Sequence, residues 1–146
     1  MSDVDLSFYF NVRSRETALC QLAAKALAQG LRISVLAASE GDAHELDRLL
    51  WSIPQTGFLP HCAADDPRAA ATPVIVDHRP ALLPANPVVF NWTGAAITPP
   101  AGCTRLIEIV DQDDDERARA RARWLDYKAA GVTPRAIDLQ EQGRRG

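Results

Sequence analysis

Residues 111–123 read DQDDDERARARAR, five acids within six residues and then arginine at every second position. A guanidinium is a permanent cation whose paired N–H groups fork onto a carboxylate, so these residues offer anion recognition and not bond making. Spacing decides which of them act together. At 3.6 residues per turn, Arg117, Arg121, Trp124 and Lys128 stand at i, i+4, i+7 and i+11, one stripe along a helix. Ala118, Ala122, Leu125 and Ala129 share another face, which is expected to pack on a sheet. Residues 113–116 suit the helix start, where the dipole favours acids. Arg119 and Arg123 are expected to be solvated and to pair with those acids. A stripe of three cations with an indole among them places charge beside an apolar surface. The ligand it calls for is an acidic peptide with a bulky apolar residue, its terminal carboxylate a candidate partner.

Other chemistry finds less support. A nucleotide site on an α/β sheet needs a glycine-rich turn after the first strand so that phosphate can approach the backbone. That turn reads NVRSRE, without glycine, and neither GxGxxG nor GxxxxGK[ST] occurs. A small nucleotide-binding enzyme of Rossmann-like fold is the alternative reading, and a saturable thermal shift with a nucleotide would favour it. His61, Cys62, Asp77 and His78 match no usual zinc spacing. His61 is expected in a loop, bonded to backbone. Ser39 lacks the GxSxG setting of a nucleophile and is expected to cap a helix. No metal and no cofactor is expected. Direct single-strand binding by the basic helix needs stacked aromatics along a groove, for which only Trp124 and Tyr127 are at hand.

The elements that must hold the stripe follow from periodicity. DLSFYFNV predicts a strand, and the next segment a helix with apolar positions Ala18, Leu19, Leu22, Ala23, Ala26 and Leu27, Ser14 as N-cap and Gly30 beyond its end. RISVLAA predicts a strand buried on both faces. A helix with Ala43, Leu46, Leu49, Leu50 and Ile53 on one side follows it, with Asp42 and Glu45 spaced as a capping box. Two successive βα units imply a parallel sheet with right-handed crossovers. Seven of the ten prolines fall between Pro54 and Pro87, which excludes a long helix there. VIVD, VVFNW and RLIEIVD bring the strand candidates to five, and the arginine helix comes last, ending near Gly131.

Length and charge limit the rest. A chain of 146 residues, 47% hydrophobic, is one domain with one sizeable core. A net charge of −3 excludes a surface built wholly for duplex nucleic acid or anionic membrane, yet eight of the 16 Lys and Arg lie at residues 117–145. MSDVDL has neither the basic start nor the apolar run of a secretory signal, and a cytoplasmic location is expected. Cys20, Cys62 and Cys103, odd in number and irregular in spacing, are expected to be reduced core residues.

Several features, in consistent order over residues 8–131, resemble the chi subunit family of bacterial DNA polymerase III holoenzyme. They are FYF, CQLAAKALAQG, RISVLAASEGDAHELDRLLW, FLPH and RARARWLDYKAAG. The resemblance implies a three-layer α/β/α sandwich on a mainly parallel sheet of about five strands, Rossmann-like without a nucleotide site. It implies one domain over residues 1–133 and a flexible extension at 134–146. The implied function is that of a noncatalytic accessory subunit in DNA replication. It links the clamp loader to the acidic, Phe-terminated C-terminal tail of single-stranded-DNA-binding protein, so that contact with DNA is mainly indirect. Arg117, Arg121, Trp124 and Lys128 are the implied tail-binding residues. Trp51 and Phe58 are the implied surface for the psi subunit, or in its place for another clamp-loader component or a helicase. The turn over residues 111–115 is shorter and more acidic than the family pattern and leaves one wall of the tail pocket unassigned.

Overall fold

A computed structural model of the chain describes residues 4–52 and 60–139. The strands are β1 (Asp5–Val12), β2 (Ile33–Ala37), β3 (His61–Cys62), β4 (Val74–Asp77), β5 (Val88–Trp92), β6 (Arg105–Asp111) and β7 (Arg135–Asp138). The helices are α1 (Arg15–Ala28), α2 (Glu40–Ser52) and α3 (Asp114–Ala129). One sheet runs in the order β3-β4-β2-β5-β6-β1-β7, with every adjacent pair parallel.

Alternation along the strands sorts the core into two halves. Leu6 and Phe8 of β1 join Val89, Leu106, Val110, Ala120 and Tyr127 beneath α3. Val35, Phe90, Ile107 and Ile109 point the other way and pack with Leu19, Ala23 and Leu46 of α1 and α2. This is the expected α/β/α sandwich, and cover on both faces is why β2 and β4 are buried at every position. The sheet has seven strands where the sequence offers five. β3 is two residues long and β7 reads RAID, so neither carries an apolar pattern of its own. Both are edge strands that form because a neighbour supplies the ladder. Residues 135–138, within the segment read as an extension, thus pair with β1, and Arg135 forks onto Asp5 at 2.8 and 2.7 Å.

The helix ends follow local chemistry. Ser14 Oγ accepts from Thr17 N at 3.2 Å, and Gly30 and Gly131 take the left-handed conformation beyond the two helix ends, with φ of 79° and 89°. Ser39 Oγ accepts from Asp42 N at 3.1 Å. α2 therefore starts at Glu40, and the Asp42–Glu45 capping box does not form: Glu45 is held by Arg48 at 2.6 Å. All three cysteines are free and buried.

His61 lies in β3 and not in a loop, with Nε2 3.2 Å from both the carbonyl and the carboxylate of Asp47. Asp77, at the end of β4, is buried and accepts from the backbone N–H groups of Ala64, His78 and Arg79 and from the Arg79 guanidinium at 2.8 and 2.9 Å. The Arg79 fork, helped by those N–H groups, holds the Asp77 carboxyl well below the usual carboxylate range. A depressed folded value contributes stability above the unfolded value, near 4, and loses it as pH falls through the folded one. Asp77→Asn is expected to cost about 1–2 kcal/mol at pH 7 and less below about pH 4, the part-exposed Arg79 limiting the size. Urea unfolding at pH 7 and pH 3 measures the difference; equal costs at both would mean that the ionised carboxylate contributes nothing.

Candidate functional site

α3 is turned differently from the sequence expectation. Ala118, Ala122, Leu125 and Ala129 are exposed, and Ala120, Arg123 and Tyr127 face the sheet. Arg123, expected to be solvated, is 3% exposed. The reason lies in β6, whose Glu108 points toward α3 and is 1% exposed. A buried carboxylate needs a cation and hydrogen bonds. Arg123 Nε donates to it at 3.0 Å, and Tyr127 Oη and Asn91 Nδ2 each donate at 2.6 Å. Burial pushes the Glu108 carboxyl up against the pull of these partners, and burial, with the carboxylate adding, pushes the Tyr127 phenol up. Tyr127 Oη also accepts from Ile97 N at 3.2 Å, so the network ties α3 to β5, β6 and the loop between them. The helix rotation is set by this pairing, which outweighs the alanine face.

With α3 so turned, the proposed stripe borders a groove of about 380 Å³ between α3 and the far strands of the sheet. Phe8, Phe10, Val110, Ala120, Trp124 and Ala136 supply the apolar lining, and Arg117 and Arg121 stand with them. Trp124 is half-buried and packs edge-on to Phe8, ring centroids 5.2 Å apart at 60°. Lys128 is exposed on the same flank and does not line the groove. Arg119 pairs with Glu116 at 2.7 Å and Arg123 with Glu108 at 3.0 Å. Among the described residues Arg117, Arg121 and Lys128 have no ion-pair partner, so their charge is open to a ligand.

The wall of the groove opposite α3 comes from β1 and β7. Its signal was present in FYF, because alternate strand positions place Phe8 and Phe10 on one face. Between Tyr9 and Val12 the ladder with β6 slips by one residue, and Asn11 adopts φ 64°. Asparagine tolerates that conformation better than most side chains. Its amide donates to Asp138 at 3.3 Å and accepts from Gln112 at 2.7 Å. The ends of β1 and β7 and the turn into α3 are thereby clipped together beside Phe10, which stays 38% exposed.

Two other places bear on function. β6 and β1 are neighbours whose following helices leave to opposite faces, the position at which open α/β sheets bind ligands. The Arg15 side chain occupies it: Nε donates to Ile109 O at 3.2 Å, and the guanidinium sits 4.1 Å from the Trp92 ring centroid. Ser14 caps the α1 N-terminus, so side chains already occupy the place where a phosphate would sit. At the end of α2, Trp51 is 54% exposed and stacks on His61 at 4.2 Å, so it is a surface residue and not a core one. It borders a cleft of about 480 Å³ with Asp47, His61 and Arg79. Phe58 lies outside the described residues. No helix among the described residues is long and apolar enough to cross a membrane.

Comparison with known proteins identifies related sequences. The chain is 26% identical over 117 residues to DNA polymerase III subunit chi of Escherichia coli (strain K12), covering 80% of each chain. It is 29% identical over 112 residues to DNA polymerase III subunit chi of Pseudomonas aeruginosa (strain PAO1), covering 77% of this chain and 78% of that one. The family model described as DNA polymerase III chi subunit, HolC, matches residues 1–135, and the chain belongs to that family.

Proposed function

We propose that this protein is a noncatalytic adaptor that links the DNA polymerase III clamp loader to the acidic C-terminal tail of single-stranded-DNA-binding protein during replication. Membership of the chi family supports an accessory role in replication. The observation that carries the finer reading is the α3 groove, an apolar slot with Arg117 and Arg121 unpaired at its side. A terminal carboxylate forks onto these guanidinium groups while a terminal phenyl ring enters between Phe8, Phe10 and Trp124. Lys128 lies along the same flank to meet acids further up the tail. Trp51, at the opposite end of the sheet order from the groove, serves the psi subunit, another clamp-loader component or a helicase, and Phe58, outside the described residues, is assigned to the same role. Contact with DNA is then indirect, and the protein works in the cytoplasm at the replisome.

The test is titration of a labelled acidic peptide ending in Asp-Ile-Pro-Phe. Expected affinity is micromolar, on the order of −7 to −8 kcal/mol. It weakens with salt, because the protein carries a net charge of −3 and attracts the peptide only through local cations. A peptide without its terminal Phe is expected to bind at least tenfold more weakly, a ring's burial contributing about 1.5–3 kcal/mol. Equal binding by the two peptides would sink the groove as the site.

A further inference from the structure

The groove beside α3 offers different aromatic rings from those the sequence suggested. Tyr127 is 3% exposed and bound to Glu108, so it has no face for a ligand. Phe10 takes its place. It is 38% exposed, makes no ring contact among the described residues, and lines the groove together with Trp124. One ring is held by β1 and the other by α3, so both are fixed by rigid elements.

The rest of the lining decides what such rings can hold. The groove residues include no carboxylate although the chain carries a net charge of −3, and Arg117 and Arg121 make the slot positive. With Lys128 they form a row of three cations without ion-pair partners among the described residues, about 16 Å long at 1.5 Å per residue. The other lining side chains are apolar, so no Ser, Thr, Asn or Gln is present to read the edge of a base. Open rings beside a row of cations, with no polar side chain to select among bases, hold a single strand by stacking and phosphate contact without regard to sequence. A duplex keeps its bases paired and stacked, and offers none to a slot of about 380 Å³.

We propose that the α3 groove also binds single-stranded nucleic acid, an unstacked base lying against Phe10 and Trp124 and the phosphates along Arg117, Arg121 and Lys128. The inference goes beyond the peptide reading, because it adds a direct contact to the one made through the tail, and it does not depend on that reading. Strand and peptide use the same slot and the same guanidinium groups, so each excludes the other.

Fluorescence anisotropy on the full chain tests it with labelled oligothymidylate and oligouridylate of about ten residues, the former also as a duplex with its complement. The two single strands are expected to bind within about threefold of each other, since the lining has no uncharged polar side chain to recognise a 2′-hydroxyl, and the duplex at least about tenfold more weakly. Three neutralised phosphates give a slope of log affinity against log salt of about −2. Phe10→Leu keeps an apolar side chain but removes the ring, and is expected to weaken both strands about five- to tenfold with little change in melting temperature. Arg121→Ala is expected to act to a similar extent, and Arg119→Ala to have no effect. The acidic peptide ending in Asp-Ile-Pro-Phe is expected to displace the strand. Strand binding indifferent to Phe10→Leu and Arg121→Ala, equal binding of the duplex, a tenfold preference between the two single strands, or simultaneous binding of strand and peptide would each overturn the proposal. Peptide binding without strand binding would overturn it too and leave the peptide reading standing, whereas strand binding without peptide binding would support it and remove that reading.

Discussion

Arg123→Met is expected to lower the free energy of unfolding by about 3–5 kcal/mol at pH 8, although it keeps most of the side-chain volume. The cost comes from Glu108 and not from lost packing. Glu108 is 1% exposed beneath α3, and Arg123 is the one cation within ion-pair distance of it among the described residues. Without Arg123 the carboxylate keeps its bonds from Tyr127 and Asn91 but loses its countercharge. It escapes the penalty by taking up a proton, so its folded pKa rises further above the unfolded one. For an acid shifted in that direction the folded state holds the extra proton, and stability falls as pH rises between the two values. The deficit of Arg123→Met is therefore expected to be smaller at pH 5 than at pH 8. Glu108→Gln in the same chain should recover much of the loss and remove its pH dependence. Urea unfolding followed by tryptophan fluorescence measures all three points. A loss below about 1 kcal/mol that does not change with pH would mean that Arg123 is solvated after all.

Arg121→Ala is expected to weaken binding of the Phe-terminated peptide about 10- to 50-fold while changing stability by less than about 0.5 kcal/mol. Hydrogen bonds between ions contribute about 1.5–3 kcal/mol where an apolar ligand excludes water, and Arg121 lines the groove proposed for the peptide. Arg117→Ala should act in the same direction. The informative control is Arg119→Ala. Arg119 has the same charge and lies on the same helix, but it is paired with Glu116 and does not line the groove. Its removal is expected to change affinity by less than twofold. Equal losses for Arg119→Ala and Arg121→Ala would show that the peptide responds to the general charge of α3 and not to a defined groove.

The two arginine experiments separate residues that look alike in RARARAR. Spacing alone placed Arg117, Arg121 and Trp124 on one side of a helix, and they do meet at one groove. Spacing also placed Arg123 in solvent, where it is not found. A run of alanines and a leucine has the period of a buried face, but each alanine buries little area, whereas an unpaired carboxylate beneath the helix costs several kcal/mol. Nothing local to residues 111–131 carries that information, because Glu108 belongs to the preceding strand and its direction depends on which face of the sheet α3 covers.

Strong local preferences were sufficient for most of the fold. VIVD, VVFNW and RLIEIVD are strands at the positions their apolar runs mark, and Ser14 and Ser39 cap helices because a side-chain oxygen can satisfy an N–H three residues on. Order along the chain likewise specified parallel strands with helices between them. Sheet edges, helix rotation and the far wall of the groove were not legible in this way. β7 exists because β1 offers it a ladder, and Phe8 and Phe10 become a wall of the groove only once α3 and β7 close over them. These depend on contacts between segments more than 100 residues apart, such as Asn11 with Asp138 and Asp5 with Arg135. Such pairings are worth nothing until the chain has folded, so the charges of a site can be read along the sequence while its shape comes from packing.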